Sequence, residues 1–209
     1  MDEAAALAKT ELRTLWEERG IAETQLAVDR GGTIVQRPPA RTVSWGAVVR
    51  NLPRVESESG PLVQLGAVLG RGGMGEVRSG RQTSLDRDVA VKLSLGDESD
   101  AATQALLREA WITGQLEHPN IIPAHALLRD DDTPLLVMKR VEGREWSEDL
   151  QAGGALERHL RTLVQVCHAV HFAHTRGFVH LDLKPANVMI GGFGEIYLLD
   201  WGIAASSRD

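Results

Sequence analysis

The chain has 209 residues, 43% of them hydrophobic, and a formal net charge of −6. That length supports one sizeable domain with a small appendage, and the scattered Lys and Arg residues leave no basic footprint for nucleic acid. Cys167 is the single cysteine, which excludes an intrachain disulfide and fits a reducing compartment. The acidic start Met1-Asp2-Glu3 is unlike a secretory signal, and no apolar run approaches the roughly 20 residues needed to span a membrane. These features predict a soluble, cytoplasmic chain with no membrane segment and no nucleic-acid partner.

In chain order, residues 2–19 read as a helix, because Ala4, Leu7, Leu12, Leu15 and Trp16 fall largely on one face and Gly20 would end it. Its partner is unknown. From Asp29 to Ser59 the composition shifts to Gly, Pro, Ser and Arg, including Gly31-Gly32 and Pro38-Pro39. That stretch reads as a linker with a short strand at about 42–49. Residues 1–60 are therefore expected to be an N-terminal helix and linker, and a second unit to run over 61–209.

In the second unit, Val63–Leu69 and Glu76–Gln82 predict a β-hairpin around a glycine-rich loop, and Asp88–Leu93 the next strand. Ala101–Leu116 reads as a helix closed by His118-Pro119-Asn120. Two further strands, Ala124–Leu128 and Leu135–Val141, flank a solvated turn at Asp130 to Asp132. Leu156–Thr175 reads as a long amphipathic helix ended by Gly177, with an apolar set including Leu160, Leu163, Val164, Val166, Val170 and Phe172. His168, His171 and His174 on that helix sweep about 120° of its surface, too wide for three ligands to converge on zinc. One packed and two exposed histidines are expected instead.

Four motifs stand in order on these elements. Gly70-Arg71-Gly72-Gly73-Met74-Gly75-Glu76-Val77 lies between two strands, whereas a dinucleotide-binding fingerprint needs a helix after its glycines. Val89-Ala90-Val91-Lys92 follows, then His180-Leu181-Asp182-Leu183-Lys184-Pro185-Ala186-Asn187, then Asp200-Trp201-Gly202. The set resembles the protein-kinase signatures: glycine loop, β3 lysine, catalytic loop and metal aspartate. The Lys184-Pro185-Ala186-Asn187 run and the Gly73-Met74-Gly75 segment resemble bacterial serine/threonine kinases of the eukaryotic (Hanks) type. The chain stops at Asp209, before any Ala-Pro-Glu motif, so the resemblance is to a kinase truncated shortly after Asp-Trp-Gly.

The resemblance implies an α+β fold: an N-lobe of five antiparallel strands and one helix over about 61–141, then the beginning of a helical C-lobe over about 142–209. It implies transfer of the γ-phosphate of ATP to Ser or Thr hydroxyls of a protein substrate, with Mg²⁺. Leu69, Gly70, Gly72, Gly75, Val77, Ala90, Lys92, Glu109, Met138 and Val141 would surround ATP. Glycines let the backbone fold over the phosphates, Lys92 supplies a cation braced by Glu109, Met138 stands at the back of the adenine pocket, and Lys139 to Val141 form the hinge. Asp182 would be the catalytic base and Lys184 would neutralise the transferring phosphate. Asn187 and Asp200 offer the oxygen ligands that Mg²⁺ prefers. A nucleotide-binding regulatory fragment without transfer activity is the alternative reading.

Two departures accompany the likeness. Leu181 stands where the family usually has an arginine, so the cation that would bind a phosphorylated activation loop is missing. Trp201 stands in place of phenylalanine, which keeps an aromatic ring behind the metal aspartate.

Overall fold

The computed structural model describes residues 25–28, 34–37, 45–58, 60–72, 75–94 and 101–206; the helix expected over 2–19 lies outside them. The first elements are β1 (Gln25–Val28) and β2 (Ile34–Arg37), paired antiparallel. Helix α1 (Trp45–Arg50) follows, where the sequence predicts linker and a short strand. The Val48-Val49 pair favours a strand locally, but both side chains and Leu52 are buried against Leu107, so tertiary packing overrides propensity. Two short strands, β3 (Glu56–Ser57) and β4 (Gly60–Pro61), then pair with each other.

The main sheet consists of β5 (Val63–Gly72), β6 (Gly75–Gln82), β7 (Arg87–Leu93), β8 (Ala124–Asp130) and β9 (Thr133–Lys139). It is antiparallel throughout, in the order β5-β6-β7-β9-β8, with a turn at Asp131 and Asp132 joining the last two in sequence. The period of two sorts its side chains. Val89, Val91, Leu135 and Val137 enter one core with Val55, Val63 and Leu128. Ala90, Leu136 and Met138 enter another with Leu106 and Ala110 of α2 (Ala101–Gln115). Lys92 has the parity of Ala90, which directs it to the α2 side of the sheet.

Beyond the sheet, β10 (Gly143–Glu145), α3 (Trp146–Gln151) and α4 (Leu156–Thr175) begin the second lobe. They are followed by β11 (Phe178–Val179), a 3-10 turn at Pro185–Asn187, β12 (Val188–Gly191), β13 (Ile196–Leu198) and β14 (Ala205–Ser206). The short elements carry no periodic signal and were not anticipated. Fully buried Asp149 ties three of the elements together, accepting from Arg144 of β10 and Arg158 of α4. The β11 strand pairs with β14, and β1 lies parallel on the far side of β14 at Gln25 and Ser206.

A core of Ile112, Leu116, Ile121, Val166, Ala169, Ala173, Phe178, Val188, Ile196, Leu198, Trp201 and Ala204 joins the lobes. The His118-Pro119-Asn120 segment does more than close α2: Leu198 N donates to Asn120 O, and Asn120 Nδ2 to Ile196 O. On α4, Val166, Ala169 and Ala173 face inward, whereas Leu160, Leu163 and Val164 are exposed. All three of His168, His171 and His174 are exposed too, because none lies on the narrow inward stripe; the sequence expected one to be packed.

Candidate active site

The β5–β6 hairpin carries the glycine-rich segment as strand almost to its tip, with Gly72 opposite Gly75. Gly75 has φ +146°, and a Cβ there would collide with Leu93 O. Gly70 and Gly72 differ: a Cβ on either would meet no atom of the described residues within 4 Å. Of these three glycines, the described structure requires Gly75, while Gly70 and Gly72 leave space open beside the hairpin.

Beneath the hairpin, Val77, Ala90, Met138 and Val141 belong to one apolar cluster, with Met138 directly opposite Ala90 in the β7–β9 register. Leu69 is outside that cluster and 51% exposed. Tyr197 and Leu199 join the cluster from the second lobe. Sequence reasoning assigned them nothing, although Leu199 immediately precedes the motif aspartate.

Lys92 reaches across from β7. Its Nζ donates to Glu109 Oε2 at 2.6 Å and to Asp200 Oδ1 at 3.4 Å. Burial pushes the Lys92 ammonium down, but Glu109 and Asp200 outweigh it and hold the group above the ordinary lysine range. Burial raises the Glu109 carboxyl, with Lys92 opposing the shift. The cation is thus held between carboxylates from two lobes, 17 and 108 residues away along the chain.

The catalytic-loop residues form a second constellation. Lys184 Nζ donates to Asp182 Oδ2 at 2.7 Å, and Asn187 Nδ2 donates to the same oxygen and to Asp182 O, both at 2.9 Å. The Lys184 hydrogen bond, with help from Asn187, holds the Asp182 carboxyl below the usual carboxylate range. Both side-chain contacts fall on Oδ2, which leaves Oδ1 available, and the Asp182 side chain is 33% exposed.

His180 links the two constellations. Asp182 N donates to its Nδ1 at 3.2 Å, so Nε2 carries the proton and donates to Leu199 O at 2.9 Å. Burial lowers the His180 pKa, in keeping with this neutral tautomer. Leu199 N in turn donates to Asn187 O. Fully buried Trp201 lies 4.5 Å from His180, ring centre to ring centre. Leu181 and Asp200 both adopt left-handed backbone conformations, with φ of 65° and 59°.

Among the described residues, no group of three or more His, Cys, Asp or Glu side chains converges as a metal cage. Asp200 and Asn187 nevertheless fit a hard cation shared with a phosphate: the hydrogen bonds of Asn187 to Asp182 use its nitrogen and spare its Oδ1, and the Asp200 side chain is partly open.

The family profile described as protein kinase domain matches residues 63–209. This chain belongs to the protein kinase family. The kinase signatures in it are accompanied by likeness to bacterial serine/threonine kinases. The serine/threonine-protein kinase PknD of Protochlamydia amoebophila is 36% identical over 152 residues, covering 65% of this chain and 16% of its own length. The serine/threonine-protein kinase PknH of Mycobacterium tuberculosis is 37% identical over 160 residues, covering 75% of this chain and 25% of its own. The chain therefore spans a quarter or less of the length of these two kinases. No helix among the described residues is long and apolar enough to cross a membrane.

Proposed function

We propose that residues 61–209 form the nucleotide-binding lobe and catalytic loop of a serine/threonine protein kinase that uses ATP and Mg²⁺. The carrying observation is Lys92, held between Glu109 and Asp200 across the lobes. Phosphoryl transfer asks mainly for positioning and charge neutralisation, and a cation fixed at two points suits the α- and β-phosphates. Gly70 and Gly72 leave room for those phosphates under the hairpin, while Val77, Ala90, Met138 and Val141 receive the adenine. Asp200 and Asn187 would hold Mg²⁺, which would supply the neutralisation of phosphate charge that the side chains alone do not.

Asp182 presents Oδ1 to the acceptor hydroxyl. Its lowered pKa makes it a weak base, so its contribution is to orient the hydroxyl by accepting its hydrogen bond and to take the proton late. Lys184 places a positive charge beside the transferring group. The acceptor is a Ser or Thr of a protein substrate, and the compartment is the cytoplasm.

Calorimetry on the chain tests the nucleotide half of this reading: Lys92→Ala should weaken ATP·Mg²⁺ binding, and unchanged affinity would refute the assignment. With a complete C-lobe attached, Asp182→Asn should abolish transfer while sparing nucleotide affinity. Undiminished autophosphorylation in that variant would remove Asp182 from the mechanism.

A further inference from the structure

The stretch 45–55 lies outside the main sheet, yet it is built into the lobe. Val48 and Val49 of α1 are both 0% exposed, and with Leu52 they close on Leu107 of α2, with Trp111 and Leu127 at the margin. Hydrogen bonds fix the segment to edge strand β8: Arg129 N donates to Pro53 O, Val55 N to Arg129 O, and the Arg129 side chain, through Nε, to Leu52 O. The segment also covers an edge that would otherwise be open to pairing.

The face of α2 that it covers is informative. At about 100° per residue, Leu107 and Trp111 share one face, and Glu109 lies about 160° from each of them on the opposite side. The Leu106 and Ala110 side chains lie between, packed on the sheet. The helix therefore rests on the sheet along one seam, with α1 on one side, and on the other the Lys92–Glu109 contact together with Ile112 and Leu116, which enter the core that joins the lobes. Removing α1 would free the helix to roll about that seam and carry Glu109 away from Lys92. Trp111 extends the contact further, meeting Phe178 of β11 edge-on at 5.6 Å. Its strand pairs with β14, which β1 of the same N-terminal stretch also flanks.

We propose that α1 and the turn after it are an intrachain brace for α2, and that Val48, Val49 and Leu52 are positioning residues that hold Glu109 against Lys92. The inference rests on the nucleotide-binding reading of that pair. None of the three residues belongs to the nucleotide site itself.

The test combines Val49→Ala and Leu52→Ala with Glu109→Gln in the full chain. It reads ATP·Mg²⁺ affinity by calorimetry and amide exchange over 101–115 without ligand. Loosening the brace should speed exchange over 101–115 and weaken affinity about three- to tenfold, as the competent helix position loses population. In the Glu109→Gln background the same substitutions should change affinity by less than about twofold, because the pair they position is already gone. Val49→Ile should retain wild-type affinity. The near-isosteric Val49→Thr is read in the same way should an alanine variant fail to fold. Equal losses in both backgrounds, or unchanged exchange over 101–115, would overturn the brace. A wild-type chain that binds no ATP·Mg²⁺ would instead sink the nucleotide reading, and exchange over 101–115 would still decide whether α1 braces α2.

Discussion

The contact between Lys92 and Glu109 places a carboxylate in a nearly closed environment beside a single cation. Burying such a pair adds little net stability, because desolvation offsets much of the attraction; what it fixes is position. Burial raises the Glu109 pKa above its ordinary 4.5, so the folded chain takes up that proton at higher pH than an exposed glutamate would. The sign follows from linkage. A carboxyl with a raised folded pKa contributes stability in its protonated form and loses it as pH rises, so protonating Glu109 does not itself unfold the chain. The ion pair is nevertheless lost on acidification. As pH is lowered, ATP·Mg²⁺ affinity should therefore begin to fall at a pH still above the ordinary carboxylate range, while circular dichroism still reports a folded chain. Glu109→Gln should lack this component. Since protonation of ATP itself is common to both proteins, matching acidic limbs would rule Glu109 out as its source.

At the scale of elements, the β5–β6 hairpin separates two demands on glycine. Gly75 answers to the protein, through its φ of +146° and the approach of Leu93 O. Gly72, two positions beyond Gly70 on the same strand, borders open space. Gly75→Ala should thus cost about 1–3 kcal/mol of stability through backbone strain. Gly72→Ala should change stability by less than about 0.5 kcal/mol while weakening ATP·Mg²⁺ binding. Thermal unfolding and calorimetry on both variants check this; unaltered nucleotide affinity in Gly72→Ala would mean that the phosphates lie elsewhere. The long elements were legible because their hydrophobic periods are strong: β5 to β9, α2 and α4 appear within a few residues of expectation. Helix α1 was misread because six residues containing adjacent valines carry a strand-like local signal. Its helical form depends on Leu107, far away in sequence.

For the whole molecule, Trp201 occupies the core where α2, α4 and β11 to β13 meet, so one residue of the Asp-Trp-Gly motif also joins the lobes. Its ring is fully buried, and its Nε1 has no hydrogen-bond partner among the described residues. Trp201→Ala should cost about 3–5 kcal/mol through the cavity it leaves. Trp201→Phe should cost only about 1–2 kcal/mol, because removing an unsatisfied buried N–H offsets part of the lost packing. Urea unfolding of the two variants measures the difference, and equal losses would show that ring packing is not what Trp201 contributes. The sequence alone determined the family, the five strands of the main sheet and the identity of the charged groups, since these rest on local periodicity and on motifs with fixed spacing. Only the tertiary structure decided that Asp200 shares Lys92 with the expected Glu109, that His180 donates to Leu199 O, and that Val48, Val49 and Leu52 pack behind α2. Each of these depends on contacts between segments distant in sequence, whose direction no local pattern records.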